Sequence, residues 1–340
     1  MKRQGTFPFT AIIGQEEMKK ALVLNVVNPR LGGVLIQGEK GTAKSTAVRA
    51  LADLLPPRLC ITGCRFHDDP NDKSNWCDEC HEKYDQAEPP TEFLPMKVVE
   101  LPVSATEDRV VGTLDIEAAI KEGKRSFETG ILAEANRNIL YVDEINLLDD
   151  HVVDVLLDSA AMGINTVERE GISYSHPARF SLVGTMNPEE GDIRPQLLDR
   201  FALSVYVAGE KDLDKRAEVI KRRLEYEDDA EEFIKKWTEE QQNEVRRIQR
   251  AMKLLPQVTT SNDILRMAAQ ISITLGVDGH RADITLIKTA ETLAAVAGHT
   301  EVTKEDLREA ARLALPHRMR RRPFEEQKLD WENVDKVIDG

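Results

Sequence analysis

Two short stretches of this 340-residue chain carry side chains spaced for phosphate chemistry. In the first, Gly38-Glu39-Lys40-Gly41-Thr42-Ala43-Lys44-Ser45-Thr46, a glycine-bearing turn leads into a lysine and two hydroxyls. Backbone N–H groups at a helix start, with the positive end of its dipole, hold phosphate there. Lys44 would reach the terminal phosphates of a nucleoside triphosphate, and Ser45 would ligate Mg²⁺. The usual spacing has glycine where Ala43 stands; alanine fits if that position avoids φ > 0, with Gly41 supplying the turn's freedom. Taken alone, the stretch also reads as an ordinary strand-to-helix turn. The second stretch, Ile139-Leu140-Tyr141-Val142-Asp143-Glu144, sets two acids behind four apolar residues. Asp143 suits the Mg²⁺ shell, and Glu144 suits orienting and deprotonating an attacking water. Asn187 adds an amide behind a third apolar run, Phe180 to Val183.

The four cysteines form a separate group: Cys60 and Cys64, then Cys77 and Cys80 twelve residues on. Their clustering favours a metal site or redox-active thiols over structural disulfides. Four thiolates at this spacing could hold Zn²⁺ tetrahedrally, with His67 and His81 as further candidate ligands. Free thiols in a surface insertion are the alternative, because no strand framework in the sequence fixes the two pairs.

These residues need elements to hold them. Val34-Leu35-Ile36 before the glycine turn and Ala47 to Ala52 after it read as a buried strand and a helix. Ile139 to Val142 and Arg179 to Thr185 read as further strands, so the acids and Asn187 fall at carboxyl ends, where open α/β sheets bind ligands. Lys97 to Val103 and Leu203 to Val207 complete the strands, and helices are expected at 16–27 and 146–161. Residues 58–95 are too long and too rich in Asp, Pro, Asn and Glu for a connection, and read as an insertion. A second excursion spans 104–130, with a short helix from Asp115 to Lys124. Residues 165–177 read as a β-hairpin with Gly171 at its tip. The apolar arm Phe9 to Ile13 ahead of the glycine turn reads as a cover for an adenine ring, as a strand-like arm packing on the core, or as both.

Beyond residue 208 the pattern turns helical. Leu213, Ala217, Ile220 and Leu224 mark one face, and Phe233 to Met252 a second long helix. Three helices between 261 and 315 form a bundle, the last opened by a capping box at Thr303-Lys304-Glu305-Asp306. His317-Arg318-Met319-Arg320-Arg321-Arg322 reads as a solvated cationic helix end. The expected organisation is an α/β ATPase domain at 1–207, a helical linker at 208–255, and a C-terminal all-α bundle with a tail at 256–340.

Hydrophobic content of 41% supports a sizeable core, and charged content of 31% fits a helix-rich soluble chain. The net charge of −14 disfavours nucleic acid, whose binding rests on phosphate neutralisation. No apolar run approaches a membrane span, and no secretory or long transit pattern opens the chain. A cytoplasmic protein, or a mature organellar form, is expected. There is no internal repeat.

Together these motifs resemble the AAA+ P-loop NTPases. The phrases Val142 to Leu148, Gly184 to Gly191 and Arg194 to Phe201, with Phe9 to Gln15, resemble the small AAA+ subunit of magnesium chelatase across almost the whole chain. That resemblance implies an α/β fold with a parallel sheet flanked by helices, plus a C-terminal all-α helical bundle. It implies ATP and Mg²⁺ as cofactors, with Gly38, Gly41, Thr42, Ala43, Lys44, Ser45, Thr46 and Ile13 around the nucleotide, and Ser45 and Asp143 at the metal. Glu144 becomes the Walker B base, Asn187 the first sensor, Arg200 an arginine finger acting on a neighbouring subunit, and Arg281 the second sensor. Arg194 would be an added contact. Residues 104–130 and 165–177 match the helix-2 and pre-sensor-1 insertions. For the cysteine-bearing insertion, thiol redox control is implied.

The function so implied is a motor that hydrolyses ATP to drive Mg²⁺ insertion into protoporphyrin IX, in chlorophyll or bacteriochlorophyll biosynthesis. Its partners would be a homo-oligomeric ring, expected to be a hexamer, a middle AAA+ subunit, and a large porphyrin-binding subunit. With no integrin-like metal-binding pattern read in these 340 residues, the chain is expected to resemble the smaller ATPase subunit rather than its larger AAA+ partner. The same engine would serve a cobalt or nickel chelatase, or a metal-insertion chaperone for an enzyme. A DNA translocase shares the hairpin insertions, but the acidic charge and the lack of a basic run in 165–177 oppose it. A non-hydrolysing scaffold is opposed by the intact Lys44, Asp143, Glu144, Asn187 and Arg200.

Overall fold

The computed structural model describes residues 5–39, 41–115, 126–169, 172–191, 193–277, 279–319 and 331–339. Lys40, the helix expected over 115–124, the hairpin tip at Gly171 and the arginines 320–322 lie wholly or largely outside them.

Five strands make the central sheet: β1 (Val34–Gly38), β2 (Val98–Leu101), β3 (Ile139–Val142), β4 (Ser181–Met186) and β5 (Leu203–Val207). Their spatial order is β5-β1-β4-β3-β2, and every pairing is parallel. A parallel sheet must be covered on both faces, and the residues alternate accordingly. Val34 and Ile36 enter a core shared with the helices Glu16–Val27, Lys44–Leu54 and His280–Ala297. Leu35 enters a second core with Leu132, Leu156 and Phe201 on the opposite face. Because all strands run one way, their carboxyl ends share an edge, and the turns after β1, β3 and β4 meet there.

The insertion at 58–95 is not an irregular loop. Arg58–Ile61 and Thr91–Leu94 close it as an antiparallel ribbon, and Asp78–Tyr84 forms a helix inside it. The sequence offered no strand framework for the cysteines because each of these strands is only four residues long. The 104–130 excursion opens with a helical turn, Glu107–Val111, followed by the ribbon Gly112–Asp115 with Ser126–Thr129. The expected hairpin is Ile164–Arg169 paired with Ile172–Pro177.

The lid helices are Asn262–Thr274, His280–Ala297 and Lys304–Ala314, and the capping box at Thr303 and Asp306 forms reciprocally. Two expectations change. Phe233 to Met252 is two helices, Ala230–Lys236 and Thr238–Leu254, parted at Trp237. Leu213–Asp228 is helical, yet its apolar face is open: Leu213 is 81%, Ile220 56% and Leu224 60% exposed. A helix with an apolar stripe left bare among the described residues has the character of an interface.

Candidate active site at the carboxyl edge of the sheet

Gly38 ends β1 with φ of 141°, and a Cβ there would collide with the Val207 carbonyl, so only glycine lets β1 and β5 close at this point. The turn then delivers Lys44 as the first residue of the helix Lys44–Leu54. Its Nζ donates to Gly38 O at 2.7 Å and Glu39 O at 3.1 Å, which holds the ammonium in the mouth of the loop. Ala43 corrects one expectation. It adopts φ 60° and ψ 23°, the left-handed conformation that glycine normally supplies. Alanine accepts that geometry at a cost of about 1 kcal/mol, and the amide direction of the loop is kept.

A hydrogen-bonded chain sets the two acids. Glu144 N donates to Thr185 Oγ1 at 3.1 Å, Thr185 Oγ1 donates to Asp143 Oδ1 at 2.6 Å, and Tyr141 OH donates to the same oxygen at 3.0 Å. Burial, then the Asp143 charge, pushes the Tyr141 phenol well above its ordinary value, so it stays a donor. Glu144 itself sits at φ 53° and ψ 51°, a left-handed backbone that is strained for a residue other than glycine. Asn187, at the end of β4, accepts from Glu189 N at 3.2 Å and is thereby oriented. These groups line one cavity of about 520 Å³, which Lys44, Ser45, Thr46, Asp143, Glu144 and Asn187 share. A neighbouring cavity of about 310 Å³, mostly apolar, is lined by Ala11, Ile12, Ile13, Gly41, Thr46 and Val219. The pair of cavities, one polar and cationic at its mouth and one apolar, joined along 41–46, fits a nucleotide with its metal.

Thr185 and Arg223 were not legible in the sequence. Thr185 is one threonine in an apolar strand, and only the register of β4 beside β3 sets it against Asp143. Arg223 lines both cavities from the helix Leu213–Asp228, pairing with Glu227 at 2.7 Å. Its one sequence signal is a position on an amphipathic helix, which does not distinguish it from its neighbours.

Arg200 and Arg281 do not line these cavities. Arg200 follows the short helix Pro195–Leu198, and its Nη1 pairs with Asp154 at 2.7 Å and Asp158 at 2.9 Å. Arg194 pairs with Asp150 on the same helix, Asp150–Met162. Arg281 reaches Asp199 Oδ2 at 3.7 Å, beside Arg200. The reading of 317–322 as a solvated end fails for its first two residues. The Arg318 side chain is 1% exposed, and it donates to the carbonyls of Asp199 at 3.0 Å, Phe201 at 2.7 Å and Ala314 at 3.2 Å. His317 Nε2 meets Phe201 O at 2.8 Å. Burial lowers His317 to about 3 and Arg318 to about 10, leaving the first neutral and the second charged. The lid thus grips the residues on both sides of Arg200.

The cysteines divide. Among the described residues, Cys64, Asp68, Cys77 and Cys80 converge, their ligand atoms all within 4.8 Å of one another. Cys60 is not among them: its Sγ lies 3.6 Å from Arg137 Nη1 and 3.7 Å from Arg58 O. The four-cysteine set is therefore corrected, because the strand Arg58–Ile61 points that thiol at Arg137. His67 is also apart, lowered to about 4, first by burial and then by Arg58. Cys64 is lowered to about 7 by the hydrogen bond from Cys77, whose own thiol the same bond and burial push up.

The chain is similar over nearly its whole length to known proteins. A magnesium-chelatase subunit ChlI homolog of Methanocaldococcus jannaschii is 59% identical over 99% of this chain and 92% of its own. The chain belongs to the magnesium-chelatase ChlI family. The ChlI subunit of a Nostoc species is 51% identical over 95% of this chain and 87% of its own. The profile of the AAA domain, dynein-related subfamily, matches residues 91–201, and that of the AAA lid domain matches 265–338. A chain in a complex of magnesium-chelatase subunits BchI and BchD, built on a cryo-EM reconstruction, is 45% identical. It covers 98% of this chain and 99% of its own length, with a TM-score of 0.56. The fold is accordingly the AAA+ ATPase fold with its lid, as the motifs implied. No helix among the described residues is long and apolar enough to cross a membrane.

Proposed function

We propose that this chain is the ATP-hydrolysing motor of a tetrapyrrole metal chelatase, driving insertion of Mg²⁺ into protoporphyrin IX on a larger partner. The observation that carries the reading is the split between two edges. Lys44, Asp143, Glu144 and Asn187 share one cavity, while Arg200 and Arg281 sit together elsewhere around Asp199. A site with its base on one edge and its finger on another is completed when copies of the chain meet.

In this reading the amides of 41–46 and Lys44 hold the phosphates, Ser45 and Asp143 hold the nucleotide's Mg²⁺, and Ile13 packs on the base. ATP with Mg²⁺ supplies the phosphoryl group and the charge screening that make transfer possible. Glu144 orients water and takes its proton; Asn187 fixes that water's position; Arg223 adds a cation from the same chain. Arg200 and Arg281 neutralise developing charge at the neighbouring copy's nucleotide, and Arg194 supports them. The bare face of Leu213, Ile220 and Leu224 supports assembly into a ring, for which six copies is our expectation. The middle AAA+ subunit and the large porphyrin-binding subunit complete the enzyme, in the cytoplasm. Residues 1–207 act as the ATPase domain, 208–255 as a linker and 256–340 as the lid.

The test is tetrapyrrole metallation followed by fluorescence. It combines this chain with the middle and large subunits of its own organism, ATP, protoporphyrin, and Mg²⁺, Co²⁺ or Ni²⁺ in turn. Insertion of Mg²⁺ that needs ATP and vanishes with Glu144→Gln is the expected result. Insertion of Co²⁺ or Ni²⁺ alone would replace the metal and keep the motor. ATP hydrolysis without insertion of any metal would overturn the chelatase reading.

A further inference from the structure

The ribbon-closed insertion holds a cluster that the ATPase reading does not use. Cys64, Asp68, Cys77 and Cys80 come from three places: the turn after Arg58–Ile61, the segment following it, and the start of the helix Asp78–Tyr84. Cys64 Sγ and Cys77 Sγ are 3.9 Å apart. Two thiolates on one tetrahedral zinc, each at ~2.3 Å, stand about 3.8 Å apart. Four donor atoms within 4.8 Å of one another enclose a single ion and leave no room for a polynuclear cluster.

Asp68 is the independent observation. The residue is 1% exposed, and its Oδ1 is buried with no hydrogen-bond partner among the described residues. Its Oδ2 accepts from Cys77 N at 2.7 Å, which aims the carboxylate at the cysteines. Two nearby guanidiniums are paired with other acids: Arg137 with Asp69 at 2.8 Å, and Arg65 with Glu79. A carboxylate oxygen taken from water without a partner costs several kcal/mol unless a cation meets it. The thiols carry a matching sign: Phe66 N lies 3.4 Å from Cys64 Sγ, an amide set to stabilise a thiolate.

We propose that Cys64, Asp68, Cys77 and Cys80 bind one Zn²⁺ as a structural site that locks the insertion. Three thiolates and one carboxylate oxygen are a soft donor set with no open position, which suits zinc and a structural role. On binding, each thiol releases its proton to solvent and the ion keeps its charge state, so no oxidant is required. The site tightens the base of the hairpin Ile164–Pro177. Phe66, between Cys64 and Asp68, stacks on His176 with ring centroids 4.7 Å apart, and His176 meets Asn165 across the hairpin at 2.9 Å. This inference is independent of the ATPase reading.

The experiment uses the full chain, purified under reducing conditions without chelator, with metal measured by mass spectrometry of the elements. About one zinc per chain is expected. Cys64→Ser and Cys77→Ser should lose it, Asp68→Asn should weaken binding at least tenfold, and Cys60→Ala should keep full stoichiometry. Should the ligand variants misfold, Co²⁺ substitution in the unaltered chain decides. Tetrahedral d–d bands with thiolate-to-cobalt charge transfer support the site, and an octahedral spectrum overturns it. Absence of zinc after reconstitution, iron in its place, or metal loss in Cys60→Ala would each overturn it as well.

Discussion

The edge that holds Lys44, Asp143 and Glu144 and the edge that holds Arg200 are built in different ways. The first is made at strand ends: Asp143 and Glu144 follow β3 directly, Lys44 follows the turn after β1, and the parallel register brings them together. The second is made of side chains crossing between distant elements. Arg200 is held by Asp154 and Asp158 from one helix, and its flanking carbonyls are gripped by Arg318 from the lid, more than a hundred residues away. The first edge depends on backbone geometry and holds two non-glycine residues, Ala43 and Glu144, at positive φ. The second depends on whether the lid is docked. Under the proposed roles, this would divide the labour so that binding is fixed and the Arg200 finger is adjustable.

The largest test of that division is kinetic. Arg200→Ala should lower ATP turnover by about 10³-fold, and Glu144→Gln by roughly 10²–10⁴-fold, each with ATP binding retained. Mixing the two variants should restore part of the activity, since some interfaces would then pair an intact base with an intact finger. No recovery at any ratio would show that both edges serve one chain's own site.

Arg318→Met probes the lid's grip. The carbonyls of Asp199 and Ala314 lose a donor, that of Phe201 keeps only His317, and we expect a loss of about 3 kcal/mol in unfolding experiments. The sharper readout is the split: turnover should fall while nucleotide affinity, set at the other edge, stays within about twofold. Equal losses in both would mean the two edges are mechanically one.

His317 adds a pH dependence. Its ordinary value of 6.5 is lowered to about 3 in the folded chain. The unfolded chain therefore takes up a proton below pH 6.5 that the folded one refuses, so stability present above 6.5 declines as pH falls toward 3. The contribution lost by pH 5.5 is about 1 kcal/mol, and His317→Asn should flatten that part of the profile in denaturant titrations. His67, lowered to about 4, declines over a similar range, so the variant's profile flattens only in part.

The smallest effect belongs to the first edge. Ala43→Gly relieves the left-handed backbone and should raise the melting temperature slightly, by the equivalent of about 1 kcal/mol or less, because glycine's greater unfolded-state entropy offsets part of the gain. Weaker ATP binding in this variant would indicate that the strain is used to aim the loop.

The sequence by itself determined the nucleotide edge, the placing of its acids and amide at strand carboxyl ends, the C-terminal helices and the family. Those features are local: a motif contiguous along the chain, or an apolar run with a polar end, keeps its meaning wherever the segment packs. Tertiary structure alone decided the rest. Thr185 became a partner of Asp143 through strand register, and Ala43 was found in the conformation its residue type opposes. Cys60 left the cysteine group because its strand faces Arg137, and Asp68, one acid among several in a polar loop, took its place. His317 and Arg318, which composition reads as solvated, were buried against the Arg200 segment. The apolar stripe of Leu213, Ile220 and Leu224 was left bare. In each case the deciding quantity is what lies across a gap in space, and a one-dimensional pattern records only which face a residue occupies, never what that face meets.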